Sequence, residues 1–467
     1  MKIFVEISDN YTMERDYIVA VILRDFLHLD VQTVVGSRDD VRLTTGDGPD
    51  LVVADCLFQT PAERWLTPEA LPKQPLQTWR VGASPVGDSL LNPDVPVIYG
   101  EALANGTFCQ VDERGIRLGL DVFGSAFFML TRYEELVTAE RDAHERMPAT
   151  AALAYQEGFL DRPIVNEYVE ILWNCLKRLW PHLERGPRAY QATLSHDVDH
   201  PLSVADKPWP AVVRNAGGDL VHRRDPILVS RRLYARLVSA SGQYDADPNN
   251  TFDFILETSE RHGLRSAFYF ITDHSAGAID GDYSIEMPWL RKLMRTIHER
   301  GHEIGLHPSY NTFRDVAQTK REFDRLLRAT EEEGIEQDEW GGRQHYLRWD
   351  ASTTWRNWAD VGLHYDSTMT FADHVGFRCG VCYAFRTFDL RKREPLRLVE
   401  RPLIVMEATL FERAYMRRSP EDGLAQLLEL AATCKFFNGE FTLLWHNSSL
   451  VTGLQKRLYT EAIEGIA

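Results

Sequence analysis

No stretch of this chain approaches the roughly eighteen apolar residues that a membrane-spanning helix requires. The run from Tyr17 to Leu23 is too short and reads as part of a buried helix. Cysteine is sparse: six residues in 467, at positions 56, 109, 175, 379, 382 and 434, with no spacing that suggests a secreted disulfide framework. Positive charge is also in deficit, with 52 Lys and Arg against 69 Asp and Glu and a net charge of −17. A surface that acidic repels phosphate backbones, which argues against a general nucleic-acid or anionic-membrane binder. Repeats and low-complexity tracts are absent. The N-terminus has no basic segment followed by a long apolar one, so the expectation is a cytoplasmic protein with no integral membrane segment.

What is present is enough apolar material for large cores, 44% of residues, and a length that allows two or three domains. The first part reads as mixed α/β. A strand is expected at KIFVEI, a helix over 12–28, strands at DLVVADC and VPVIYG, and helices over VFGSAFFMLTRYEEL and 165–179. Pro181 and the polar stretch that follows place a boundary near residue 187, giving units 1–187 and 188–467. From residue 190 strands and amphipathic helices alternate. Strands are expected at QATLSHD, RSAFYFI, GHEIGLH, RQHYLR, GLHYDS, YAFRTFD, PLIVMEATL and FTLLWH. Such a series of β-then-α units indicates a parallel barrel or an open α/β sheet.

The unusual polar residues fall at the C-terminal ends of these strands, the rim that carries chemistry in a β/α barrel. In Ser195-His196-Asp197-Val198-Asp199-His200 two carboxylates two residues apart point the same way, so one can ligate a metal while the other serves as a base. His307 ends the GHEIGL strand, and Asn311 follows four residues later, an oxygen donor on the same face if the turn is helical. Arg343 lies in RQHYLR and can fix a carboxylate, Asp366 is another strand-end acid, and His446 terminates the apolar FTLLW strand, where a proton donor would be useful.

Taken in order, these motifs resemble the NodB-homology polysaccharide deacetylases, carbohydrate esterase family 4, over about residues 190–455. The resemblance implies a distorted (β/α) barrel of seven or eight strands behind an N-terminal mixed α/β domain. It also implies one divalent metal, most often Zn2+. It casts Asp197 as general base, Asp199 and His307 as metal ligands, Arg343 as the group orienting the base, His446 as general acid and Asp366 as the acid tuning that histidine. The chain departs from the family pattern at three points. Val198 separates the paired acids, Asn311 stands where the family carries a third histidine ligand, and R-Q-H replaces R-x-P. The neutral Asn311 is a weaker ligand, so the site is expected to bind metal loosely, to prefer a harder ion than zinc, or to recruit His345 or His374.

The activity implied is hydrolysis of an N-acyl amino sugar to a free amine and acetate, with a backbone N–H near Tyr346 facing the oxyanion. A small carbohydrate or sugar phosphate, an intracellular precursor of a surface polysaccharide, is the expected substrate. Two rivals are a metal-dependent glycosyltransferase using Asp197-Val-Asp199 and a non-catalytic carbohydrate-binding barrel. The C-x-x-C of Cys379 and Cys382 has no second pair and does not support a structural zinc site. Residues 211–242 carry Arg214, Arg223, Arg224, Arg231, Arg232 and Arg236. Such a run is expected to be a solvated helix face, or a phosphate clamp beside the first barrel strand.

Overall fold

The computed structural model describes residues 1–467 except 47, 88, 89, 105 and 206, and omits the side chains of 222 and 223. Two main sheets carry the chain. The first is formed by β1 (Ile3–Ile7), β2 (Val31–Val35), β3 (Val41–Thr44), β4 (Asp50–Val53), β7 (Cys109–Asp112) and β8 (Gly115–Leu118), in the order β2-β1-β3-β4-β8-β7. A separate antiparallel hairpin joins β5 (Gln77–Arg80) to β6 (Asp94–Val97). The helix expected from residue 12 begins as an α-helix over Thr12–Val19 and continues as a wider π turn over Ala20–Phe26, burying Val21, Ile22, Leu23 and Phe26. β2, β3, β5, β7 and β8 were not expected from the pattern; several are short and half exposed, with weak apolar alternation.

The second sheet contains β9 (Gln191–Val198), β10 (Ser266–Phe270), β11 (Glu303–Leu306), β12 (Gly341–Gly342), β13 (Tyr365–Asp366), β14 (Phe385–Asp389), β15 (Glu394–Glu400), β16 (Val405–Met406) and β17 (Glu440–Leu444). Its order is β14-β15-β13-β12-β11-β10-β9-β17-β16, and every adjacent pair is parallel except β14 with β15. All five residues of β10 are buried, as expected of a parallel strand covered on both faces. Covering helices present one apolar stripe each, such as Leu290, Leu293, Met294 and Ile297 of the helix Pro288–Glu299.

Local chemistry explains where this sheet departs from the sequence reading. RQHYLR is not a strand: β12 is the two glycines before it, and residues 345–347 form a tight turn in which Tyr346 has φ 59°. A Cβ on Gly342 would collide with the Leu306 carbonyl, so the close approach of β11 and β12 requires glycine there. PLIVMEATL yields only a two-residue strand before a helix over Glu407–Phe411.

One continuous apolar core includes residues of both sheets. Tyr17 packs on Phe388 with ring centroids 4.8 Å apart and donates to the Arg386 carbonyl at 2.6 Å. Cys379 and Cys382 are buried free thiols. Their turn packs on the helix Ile164–Leu179: Val165 N–H donates to Gly380 O at 2.8 Å, and Cys382 N–H to Asn166 Oδ1 at 3.0 Å. Among the described residues no helix is long and apolar enough to cross a membrane.

A buried ion cluster links the two parts. Glu135 accepts from Arg132 Nε at 2.7 Å and from Arg378 Nε and Nη2 at 2.8 and 2.6 Å. Burial alone would raise the Glu135 carboxyl, but Arg378 and Arg132 outweigh it and hold the group down to about 2. Glu135→Gln leaves buried Arg378 without its carboxylate and Arg132 with Glu134 alone, and should cost about 3–5 kcal/mol in urea unfolding. Because the folded value lies below the ordinary 4.5, this contribution is complete above that pH and is lost as pH falls toward 2. Wild-type and Glu135→Gln midpoints should therefore converge on acidification.

Candidate functional site

β9 sorts its polar residues by pleat. Ser195 and Asp197 point to one face and His196 to the other. His196 stacks on Phe268 and donates from Nδ1 to the Trp445 carbonyl at 2.6 Å. Burial pushes its imidazole down to about 4, marking a neutral core residue. His200 lies past the strand, half exposed, with Nδ1 3.8 Å from Asp282.

Asp197 is buried against Arg343, whose Nη1 donates to Asp197 Oδ1 at 2.8 Å. The rest of that guanidinium is fully engaged. Nε donates to Ser367 O at 2.8 Å, and Nη2 donates to Ser195 Oγ at 2.9 Å and Ser367 Oγ at 3.1 Å. The buried guanidinium thus makes three bonds to neutral oxygens beside its ion pair, and Asp197 Oδ2 faces His307 Nε2 at 3.7 Å.

Asp199, one pleat further, faces three imidazoles. His307 Nε2 lies 3.2 Å and His345 Nε2 3.6 Å from its Oδ1, and His446 Nε2 lies 3.6 Å from its Oδ2. Burial would raise the Asp199 carboxyl, but the His307 contact and the fields of His345, His307 and His446 drive it well below the usual carboxylate range. Each ring is oriented from behind through Nδ1. His307 donates to the Arg343 carbonyl at 2.6 Å, His345 to Asp280 Oδ1 at 3.0 Å, and His446 to Glu407 Oε1 at 2.8 Å. Burial opposes the protonated form of His446, yet Glu407, Asp199 and Asp197 together raise it to about 10.

The structure therefore brings together Asp197, Asp199, His307, Arg343 and His446. It does not bring in Asn311, which is exposed and donates from Nδ2 to the Ser275 carbonyl at 3.0 Å. The i+4 spacing assumed a helical turn after His307; the chain instead runs through a loop until a short turn at Thr312–Arg314. His345 takes the place beside Asp199. His374 lies elsewhere, near Asp373 and the Tyr155 ring. Asp366 does not touch His446 either: it is buried, accepts from the Thr368 hydroxyl, and burial pushes its carboxyl up to about 7 against the field of Arg343. The carboxylate behind His446 is Glu407. An acid embedded in the apolar run PLIVMEATL was the signal that could have revealed it. Asp280, behind His345, sits in the loop after β10 with no comparable local signal.

One ligand atom from each of Asp199, His307 and His345 lies within 4.8 Å of the others. Asp199 Oδ1 is buried with no hydrogen bond of its own. An orphaned carboxylate oxygen facing two imidazoles anchored through Nδ1 is a donor set that suits a divalent cation with nitrogen and oxygen ligands, zinc included.

The first part of the chain reaches the same rim. Arg146 Nη1 donates to the Tyr346 carbonyl at 2.8 Å, His144 Nδ1 lies 3.0 Å from the Tyr310 hydroxyl, and Arg348 Nε donates to the His144 carbonyl at 2.9 Å. A cavity of about 720 Å³ opens at the other end of the strands, among Gln191, Ser266, Glu303 and Glu440, and shares no lining residue with the site.

In calorimetric titration with Zn2+, Asp199→Ala and His345→Ala should abolish tight binding, while Asn311→Ala should bind as the wild type does. Asp280→Asn, which loosens the ring of His345, should weaken affinity by about 10–100-fold.

Residues 3–181 match the model of a family of unknown function, DUF7033. No curated protein matches the chain. Among solved structures, a putative polysaccharide deacetylase from Mycobacterium smegmatis aligns at 17% identity and TM-score 0.37, covering 60% of this chain and 84% of that one. Puue allantoinase aligns at 12% identity and TM-score 0.34, covering 60% and 87%. A probable polysaccharide deacetylase from Pseudomonas aeruginosa PAO1 aligns at 13% identity and TM-score 0.31, covering 60% and 88%.

Proposed function

We propose that this chain is a metal-dependent hydrolase that removes an N-acyl group from an amino sugar, within a distorted barrel formed by residues 188–467 behind an N-terminal part of residues 1–187. The observation that carries the reading is the pairing of two differently held groups beside one candidate metal site. Asp197 is a carboxylate fixed by Arg343, and His446 is an imidazole whose charged form is favoured by Glu407. Barrel closure is supported by the segment after β13, which bonds to residues on either side of β16: Gly376 N–H donates to Ile404 O at 3.1 Å, and Thr409 Oγ1 to Ala372 O at 2.9 Å.

Asp199, His307 and His345 would hold the ion. When bound, it supplies Lewis acidity toward an acyl oxygen and acidifies water. The chain's own groups perform the proton transfers. Asp197 accepts the proton of the attacking water, and Arg343 holds its carboxylate in position for that role. His446 donates from Nε2 to the departing amine, which is too basic to leave unprotonated. The turn carrying Tyr346, in its left-handed conformation, offers a backbone N–H to the developing oxyanion. The substrate proposed is a small carbohydrate or sugar phosphate, a precursor of a surface polysaccharide, and Tyr310, Tyr346 and His144 form an aromatic wall for it at the rim.

The test is acetate release from a panel of N-acetylated saccharides by the Zn2+-loaded chain. Asp197→Asn and His446→Gln should each lower kcat by about 10²–10⁴-fold, with Asp197→Asn retaining metal. Absence of acetate release from every saccharide, or wild-type turnover in Asp197→Asn, would defeat the reading. Sugar transfer from a nucleotide donor would instead favour a glycosyltransferase.

A further inference from the structure

The loop after β9 leaves the proposed active-site rim and forms a helical hairpin: a helix over Trp209–Gly218, a π turn over Asp219–Arg223 and a helix over Pro226–Ser239. Of the arginines that suggest a solvated polar face or a phosphate clamp here, Arg214 and Arg224 are exposed, whereas three others turn to partners within the fold. Arg232 pairs inward with Asp219 at 2.7 Å, Arg231 donates to the Ala246 carbonyl, and Arg236 donates to the Lys207 carbonyl while lying over Trp209. The side chain of Arg223 lies outside the described residues.

Much of what faces outward is apolar, beside exposed Arg214, Asn215, Arg224 and Ser230. Val221 is 68% and Ile227 78% exposed at the hairpin tip, and Leu220, Tyr234 and Leu237 are also exposed. On the second helix the outward positions 227, 234 and 237 follow helical spacing, opposite the buried Leu228, Arg232 and Ala235. A soluble helix would carry charged groups there. Charge reverses as well: residues 207–240 hold seven Lys and Arg against two Asp, on a chain whose total is −17. Both acids are used internally, Asp219 by Arg232 and Asp225 as the cap of the second helix. An aliphatic tip, flanking Trp209 and Tyr234, and exposed Arg214 and Arg224 make up the composition of an element that lies in a bilayer interface.

We propose that this hairpin docks on an anionic lipid surface. The acidic remainder of the chain is repelled by such a surface, so the hairpin also sets the orientation. Its base is fixed to the active-site rim. Lys207 pairs with Asp282 at 3.0 Å, and the His200 carbonyl, one residue past Asp199, accepts from Asn249 and from Asn447, the neighbour of His446. Docking therefore holds the rim near the lipid headgroups. If the proposed hydrolase activity is correct, the substrate class deepens to an N-acylated saccharide joined through phosphate to a lipid. The docking itself does not depend on that activity.

The experiment is co-sedimentation of the full chain with phosphatidylcholine vesicles, with and without phosphatidylglycerol, alongside the double variant V221D/I227D. The chain should bind the anionic vesicles, lose binding as salt rises, and bind pure phosphatidylcholine far less. The variant should keep the wild-type circular dichroism and melting temperature, and any acetate release from soluble saccharides, but bind vesicles at least about tenfold more weakly. Failure to bind anionic vesicles, equal binding to neutral ones, or undiminished binding by the variant overturns the proposal. So does a wild-type dimer that ignores vesicles and is split by the variant, which would make the face a contact between copies. Vesicle binding without acetate release retains the docking and rejects only the hydrolase reading.

Discussion

The buried pair of Asp197 and Arg343 is the contact on which the site's geometry rests. Two charges removed from water are costly unless their remaining donors and acceptors are satisfied. Here Arg343 also bonds Ser195, two residues before Asp197 on β9, and both the carbonyl and hydroxyl of Ser367 after β13. One guanidinium thus ties β9, β12 and β13 together at the level of the rim. Its backbone carbonyl meanwhile sets the ring of His307. Displacing Arg343 would release a carboxylate, an imidazole and three strand ends at once.

Around that anchor the histidines follow one rule. Each directs Nδ1 outward to an acceptor supplied by another element and turns Nε2 toward Asp199. The acceptors differ in charge. A carbonyl behind His307 fixes the tautomer without adding charge. Asp280 behind His345 is itself held ionised: burial would raise it, but His345 and the Tyr310 and Ala276 N–H groups lower it. Glu407 behind His446 stabilises the imidazolium, the form suited to giving up a proton.

The N-terminal sheet is bound to this machinery in two ways. The Arg132–Glu135–Arg378 cluster and the packing of Tyr17 on Phe388 fasten it to the second sheet. Residues 144–146 reach the rim at Tyr310, Tyr346 and Arg348. The first part of the chain therefore reaches the rim as well as sharing the continuous apolar core.

The strands β9, β10, β11 and β17 were legible in the sequence, and with them Asp197, Asp199, His307 and His446. Apolar runs of strand length declare themselves locally, and a polar residue at the end of such a run must lie at the rim. The alternation that placed Asp197 and Asp199 on one face is likewise a local property of an extended backbone. The partners of these residues were not legible. Asn311 was expected beside His307 on the assumption of a helical turn, but the loop carries it to Ser275, and His345 arrives from a tight turn 38 residues further along. Asp366 was expected behind His446, but Glu407 occupies that position because β16, not β13, lies beside β17. The outward apolar face of the 209–239 hairpin was equally hidden, since composition gives the number of arginines and not the direction in which they bond. Strand identity follows from neighbours in the chain, which periodicity records. The make-up of the candidate site follows from distances between elements far apart in sequence, which only the packing of the sheet decides.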